Sequence, residues 1–343
     1  MNIATSDRFT GCLLGGAIGD ALGAPLEFIL TLQEIRAAFG PRGLCDYAPA
    51  YGRLGAITDD TQMTLFTAEG LIDAHRREGE GGISDPVRAV QAAYLRWLAT
   101  QRGRSSHPLF DPHPRQGLAA LPDMNHGRAP GTTCLRSLEG AQAPPNHRTT
   151  NDSKGCGGVM RMAPVGLCFR EAFELGSDCA ALTHGHPSGY LAAGFLAQVI
   201  AEIVAGESLA EAINVAIERL KSCPRHWGCL NAVEAAVRLA EEGEPTPERV
   251  QELGAGWVAE EALAISLYCA LVARNFEHGV LLAVNHAGDS DSTGSITGNI
   301  LGALWRKQVL PERWLEPLEL RSEIEALALD LYRHFAADGI PND

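Results

Sequence analysis

Apolar residues recur every three or four positions through most of this 343-residue chain. The segments DRFTGCLLGGAIGDALG, MTLFTAEGLI, DPVRAVQAAYLRWLAT, SGYLAAGFLAQVIAEIVAG, SLAEAINVAIERLKS, LNAVEAAVRLAEEG, VAEEALAISLYCALVAR and SEIEALALDLYRHFAA all carry this period, the mark of helices that bury one face. The period-two alternation of half-buried strands is nearly absent. The expected fold is all-α, a single multi-helix domain spanning residues 1–343. Local punctuation agrees with it: Ser6 or Asp7 can cap the first helix, Ser84 and Pro86 open DPVRAVQAAY, and Gly206 can close the helix ending in AEIVA.

Two helical segments share a second pattern. Gly15, Gly19 and Gly23 in the first, and Gly294, Gly298 and Gly302 in SDSTGSITGNILGAL, recur at every fourth residue. That spacing clears a strip on which another backbone can approach closely, so the two helices are expected to pack together. Their pairing would carry Asp20, and Glu27 just beyond it, to the start of the late helix. The main exception to helical patterning is 101–158, rich in Pro, Gly, His and Asn, which reads as a long loop-rich segment bordering a functional site. Its His107, His113, His126 and His147 lack helical ligand spacing and read as solvated side chains.

Composition narrows the function. With 45% apolar and 20% charged residues the chain is that of an ordinary globular protein. Its 28 basic and 42 acidic residues give a net charge of −14, which argues against a nucleic-acid partner. MNIATSDRFTGCLLGG lacks the basic flank and long apolar region of a signal peptide, and no run reaches the uninterrupted apolar length of a membrane span. A cytoplasmic location without a membrane partner is therefore expected. Nine scattered cysteines with no C-x-x-C pair read as reduced packing residues.

Candidate chemistry begins with ITDDTQM at 57–63. Thr58 is a plausible N-cap, and carboxylates in a first turn are favoured by the helix dipole, so Asp59 and Asp60 alone would be capping residues. A second cluster, in NHAGDSDSTGSITGNILGAL, again sets acids and hydroxyls before an apolar helix, and two such clusters suggest a site. Converging carboxylates about 5 Å apart would repel by about 3 kcal/mol per pair at an effective dielectric near 20, so the cluster demands cations. The candidate donors are all oxygens, from Thr58, Asp59, Asp60, Asp289, Asp291 and Ser292 or Thr293, which suits magnesium, manganese or calcium better than zinc. An EF-hand is excluded, because DSDSTGSITGNI has no third acid and ends in Ile300. Two divalent ions supply +4 against −5 from the four aspartates and Glu27, favouring a dinuclear centre that orients hydroxyls, polarises a leaving group and acidifies water. Phosphoester and glycosidic hydrolysis both fit that description.

A third feature is SKGCGGVMRMAP, whose Gly155, Gly157 and Gly158 open the backbone to a ligand in the manner of a phosphate cradle. It lacks the P-loop pattern, so nucleoside-triphosphate hydrolysis is not indicated. Lys154 and Arg161 are candidates to neutralise a diphosphate. In THGHPSG, His184 and His186 have no third nitrogen or sulfur ligand nearby and read as hydrogen-bonding residues.

Together GCLLGGAIGDALGAPLEF, ITDDTQM, PGTTCLRSL, KGCGGVMRMAP, LTHGHPSG and HAGDSDSTGSITGNILGAL, in that order over most of the chain, resemble the ADP-ribosylglycohydrolase family. The resemblance implies an orthogonal all-α bundle, a binuclear Mg2+ or Mn2+ site, and removal of ADP-ribose from an ADP-ribosylated protein, with ADP-ribose as the product ligand. It implies Thr58, Asp59, Asp60, Asp289, Asp291 and Ser292 as metal ligands, with Thr293 a neighbour. The implied catalytic set is Glu27, Asp60 and Asp291, Glu27 being the mobile active-site glutamate. Lys154, Gly155, Cys156, Gly157 and Gly158 would bind the diphosphate, with His184 beside it; Cys156 stands where the family more often has asparagine. DSDS resembles the arginine-directed branch more than the serine-directed one, so the N-glycosidic bond of ADP-ribosyl-arginine is the expected target. Two rivals remain. One is a binding protein, for instance an immunity factor for an ADP-ribosylating toxin, against which stand the intact ligands and the short stretch before Gly11. The other is a dinuclear phosphohydrolase, which would release AMP or phosphate rather than ADP-ribose.

Overall fold

The helical period is realised as helices. The computed structural model describes residues 5–82, 85–102, 117–141 and 148–336. Among them the chain forms α1 (Ser6–Gly23), α2 (Leu32–Phe39), α3 (Asp59–Gly79), α4 (Pro86–Arg102), α5 (Thr132–Glu139), α6 (Ala163–Cys168), α7 (Phe173–Ala181) and α8 (Pro187–Ala205). There follow α9 (Leu209–Lys221), α10 (Trp227–Ala240), α11 (Pro247–Val250), α12 (Ala259–Leu271), α13 (Phe276–Val284), α14 (Ser290–Trp305), α15 (Glu312–Leu315) and α16 (Arg321–Phe335). No strand occurs among the described residues, only two isolated backbone bridges. The fold is all-α.

Helix ends follow local chemistry. Gly206 closes α8 in the left-handed region at φ 110°, as its position suggested. The start of α1 differs: Thr5 is the extended N-cap residue, and its carbonyl accepts from the Arg8 N–H at 2.9 Å. Ser6 and Asp7 therefore lie inside the first turn. At α4, Asp85 Oδ1 accepts from the Arg88 N–H at 3.0 Å; Ser84 lies outside the described residues.

The glycine strips of α1 and α14 face each other in antiparallel register, Gly11 against Gly302, Gly15 against Gly298 and Gly19 against Gly294. A Cβ added at Gly19 would stand 1.9 Å from the Gly294 carbonyl oxygen, and one at Gly298 would stand 2.0 Å from that of Gly15. Nothing larger than hydrogen fits along this seam. At its end a Cβ on Gly23 would lie 2.3 Å from the Asp291 backbone nitrogen, so the same packing delivers the end of α1 to the start of α14.

Two expectations need correction. By length and hydropathy α8 could cross a membrane, contrary to the reading that no run is long enough, yet 89% of its window is buried. It is a core helix, packed by α6, α7, α9 and α12. The segment 101–158 is not structureless where described: it holds α5, which buries Cys134, Leu135 and Leu138, and short 3-10 turns at Gly117–Ala120 and Pro122–Met124. Three apolar residues in eight were too weak a periodic signal to show α5. His126 is exposed, as a solvated residue should be, whereas His107, His113 and His147 lie outside the described residues. All nine cysteines are free thiols.

Candidate active site

The site grows from two helix starts. At α3, Thr58 is the N-cap, and its hydroxyl accepts from the Asp60 N–H at 3.2 Å. Asp20, fully buried on α1, holds this turn from the other side, accepting from the Thr58 N–H at 3.0 Å, from the Thr61 N–H at 3.1 Å and from the Thr61 hydroxyl. The Gly131 N–H donates to Asp59 Oδ2 at 3.1 Å, tying the approach to α5 to the cluster. At α14, Asp289 is the N-cap, with Asp291 and Ser292 in the first turn. The Asp289 N–H donates to the Ala255 carbonyl at 2.8 Å. The Thr293 hydroxyl faces other partners, lying 2.8 and 2.9 Å from the carbonyls of Ala283 and Asp289 and 2.8 Å from His286 Nε2.

Charge shows that the carboxylates converge. Burial, followed by the charges of Asp291, Asp289, Asp59 and Asp20, pushes the Glu27 carboxyl up to about 10. Burial and Asp291 raise Asp20 to about 7 against the lowering effect of its hydrogen bonds. Asp59, Asp60 and Asp289 are held well above the usual carboxylate range, and Asp291 is raised as well, burial leading in each. Asp60 Oδ1, Asp289 Oδ2 and Glu27 Oε2 are buried with no hydrogen-bond partner. Buried carboxylate oxygens are seldom left so, and hard divalent cations are the natural partners of such oxygens. Among the described residues no three His, Cys, Asp or Glu side chains are already gathered as a coordination shell. The fit therefore rests on the orphaned oxygens, with hydroxyls of Thr58 and Ser292 beside them.

The glycine cradle stands next to this cluster. The Cys156 thiol neighbours Asp289 and Ser292. The Cys156 N–H donates to the Trp257 carbonyl at 3.2 Å, and the Ala259 N–H to the Lys154 carbonyl at 2.8 Å. The Gly155 N–H lies 3.4 Å from Ser153 Oγ, and Gly157 and Gly158 fall in the short 3-10 turn that follows. The His184 ring packs against it: a Cβ on Gly155 would lie 3.4 Å from Nε2, and one on Gly157 3.1 Å from Cε1. His186 instead caps α8, its Nδ1 accepting from the Ser188 N–H at 3.1 Å.

Neither basic residue offers a diphosphate an unengaged charge. The Lys154 ammonium is paired with Glu260. Arg161 is wholly buried, with Nη2 donating to Thr183 Oγ1 at 2.7 Å and Nη1 to Met63 Sδ and Cys134 Sγ at 3.3 and 3.4 Å. Its guanidinium lies 4.3 Å from the Tyr94 ring centroid. Two features escaped the sequence reading. One is 254–258, which joins the cradle to Asp289 and whose Gly254 and Gly256 have φ of 117° and 82°; the glycine doublet in GAGW was its only signal. The other is an exposed aromatic pair, Phe28 and Trp257, 68% and 40% exposed, stacked at 6.4 Å beside Glu27 and the cradle.

Comparison with known proteins finds relatives along nearly the whole chain. The sequence model of the ADP-ribosylglycohydrolase family matches residues 1–340. The chain is 25% identical to the ADP-ribosylarginine hydrolase Tri1 of Serratia proteamaculans, over 95% of this chain and 79% of that protein. It is also 25% identical to the ADP-ribosyl-[dinitrogen reductase] glycohydrolase of Rhodospirillum rubrum, over 93% and 92%. A solved ADP-ribosylglycohydrolase-related protein complex superposes with a TM-score of 0.71 at 27% identity, covering 96% of this chain and 98% of that one.

Proposed function

The chain belongs to the ADP-ribosylglycohydrolase family, hydrolases of the glycosidic bonds in ADP-ribose conjugates, and from that premise we propose that it cleaves the N-glycosidic bond of ADP-ribosyl-arginine in modified proteins. The observation that carries the reading is the convergence of Glu27 with the two aspartate pairs, leaving carboxylate oxygens of Asp60, Asp289 and Glu27 buried and unpartnered. The arginine linkage is supported by the DSDS signature and by the name of the Serratia relative.

Thr58, Asp59, Asp60, Asp289, Asp291 and Ser292 would hold two divalent cations, Mg2+ or Mn2+. Once bound, these cations supply positive charge to the cluster and Lewis acidity toward ribose hydroxyls and water. The remaining work falls to the chain. Gly157 and Gly158 donate amides to the diphosphate, and His184 lies beside it. Glu27, buried beside the cluster, would exchange a proton with the departing group or the attacking water. Asp20 keeps the first turn of α3 in place through Thr58 and Thr61.

The test is release of ADP-ribose from matched arginine-modified and serine-modified proteins, with magnesium present or chelated, for wild type and Asp291→Ala. Magnesium-dependent release from arginine alone, lost in the variant, is expected. Release from serine would keep the chemistry and overturn the linkage; release of AMP would point to phosphohydrolysis.

A further inference from the structure

We propose that Arg161 and Thr183 are positioning residues that fix His184 in the tautomer carrying its proton on Nε2, so that the ring offers an N–H donor to an anion in the glycine cradle. Three groups form a buried chain: Arg161 Nη2 donates to Thr183 Oγ1 at 2.7 Å, and Thr183 Oγ1 lies 2.8 Å from His184 Nδ1. The hydroxyl has a single proton. Its other neighbours are the Ala180 carbonyl, 3.4 Å away, and the Cys134 sulfur, a weak acceptor, so the proton goes to Nδ1. Donation from a cation to the hydroxyl oxygen strengthens that hydroxyl's own donation, which reinforces the choice. With Nδ1 accepting, the ring proton of neutral His184 sits on Nε2, on the edge that lies against Gly155 and Gly157.

The chain of donors starts at a guanidinium: among the described residues no carboxylate pairs with Arg161, and a tyrosine ring and two sulfur atoms surround it instead. Burial and Arg161 together keep His184 neutral, lowering its pKa to about 3. Because the ring stays neutral, the tautomer alone decides which nitrogen donates.

Identification of the anion as the diphosphate of ADP-ribose rests on the function proposed above; the tautomer does not. The test is two-bond 1H–15N NMR on histidine-labelled full-length protein, the His184 signals assigned with His184→Gln, beside calorimetry with ADP-ribose. Wild type is expected to show Nε2 protonated and Nδ1 bare between pH 5.5 and 8 (about one unit or more from the shifted pKa). Thr183→Ser should preserve both the tautomer and the affinity. Thr183→Val, which keeps the shape and removes the hydroxyl, should mix the tautomers and weaken ADP-ribose binding by about tenfold or more, while Mn2+ binding is unchanged. Arg161→Lys, which keeps a charged donor, should fall between the two. Protonated Nδ1 in wild type would overturn the proposal without any variant, as would an unchanged tautomer in Thr183→Val. If wild type failed to bind ADP-ribose, the function and the donor role would fall, and the NMR would still decide the tautomer.

Discussion

Asp60 is 3% exposed, its Oδ1 has no partner, and Asp291, Asp20 and Asp59 add repulsion to the cost of its burial. Asp60→Asn keeps its shape and removes one like charge. Chelated Asp60→Asn should therefore melt higher than chelated wild type, by about 1–2 kcal/mol of stability, while its metal affinity drops about a hundredfold or more; parallel thermal scans with EDTA and with Mn2+ check both halves. The pH dependence follows from opposite shifts. Glu27 and Asp20 are raised to about 10 and about 7, so their stabilising protons are fully present below the unfolded carboxyl values and are lost as pH rises through the folded ones. His184 and His286 are lowered to about 3 and about 4. They act the other way, costing stability as pH falls below the unfolded value near about 6.5. Histidine effects are common to chelated and loaded protein and cancel in the difference. The rise in melting temperature on adding Mg2+ should therefore grow from pH 5.5 to pH 8, and a larger rise at pH 5.5 would contradict the carboxylate assignment.

The element that organises the site is the pair α1 and α14. Because Gly298 sits with its would-be Cβ 2.0 Å from the Gly15 carbonyl oxygen, Gly298→Ala must force the helices apart. A loss of about 2–4 kcal/mol in urea unfolding is expected, with weakened metal binding, since Asp20 and Asp291 are carried on these two helices. Gly79→Ala is the control: nothing lies within 4 Å of that position at the end of α3. A neutral effect, or a gain of up to about 1 kcal/mol, is expected there. The strip was legible in the sequence because a spacing of four maps directly onto one helix face. The contact of 254–258 with the cradle was not, because it depends on tertiary hydrogen bonds such as Ala259 N–H to the Lys154 carbonyl. Asp20 was visible as a neighbour of the cluster, but its hold on Thr58 and Thr61 appears only once α1 and α3 are placed.

At the scale of the molecule, the all-α class and the long helices could be read from periodicity, and the aspartate pairs from their repetition before apolar runs. Short α5, the buried setting of Arg161 and the membrane-length but internal α8 could not, because each is decided by what surrounds it rather than by its own residues. The chain brings residues 20, 27, 58–60 and 289–292 into one acidic cluster from four separate stretches, and the dinuclear cation site proposed above is this cluster. Electron paramagnetic resonance during Mn2+ titration tests it most directly. Two Mn2+ per chain with the exchange coupling of ions about 3.5–4 Å apart, lost in Asp60→Asn and Asp291→Asn, is the predicted result; no stoichiometric binding, or binding that both variants retain, would contradict it.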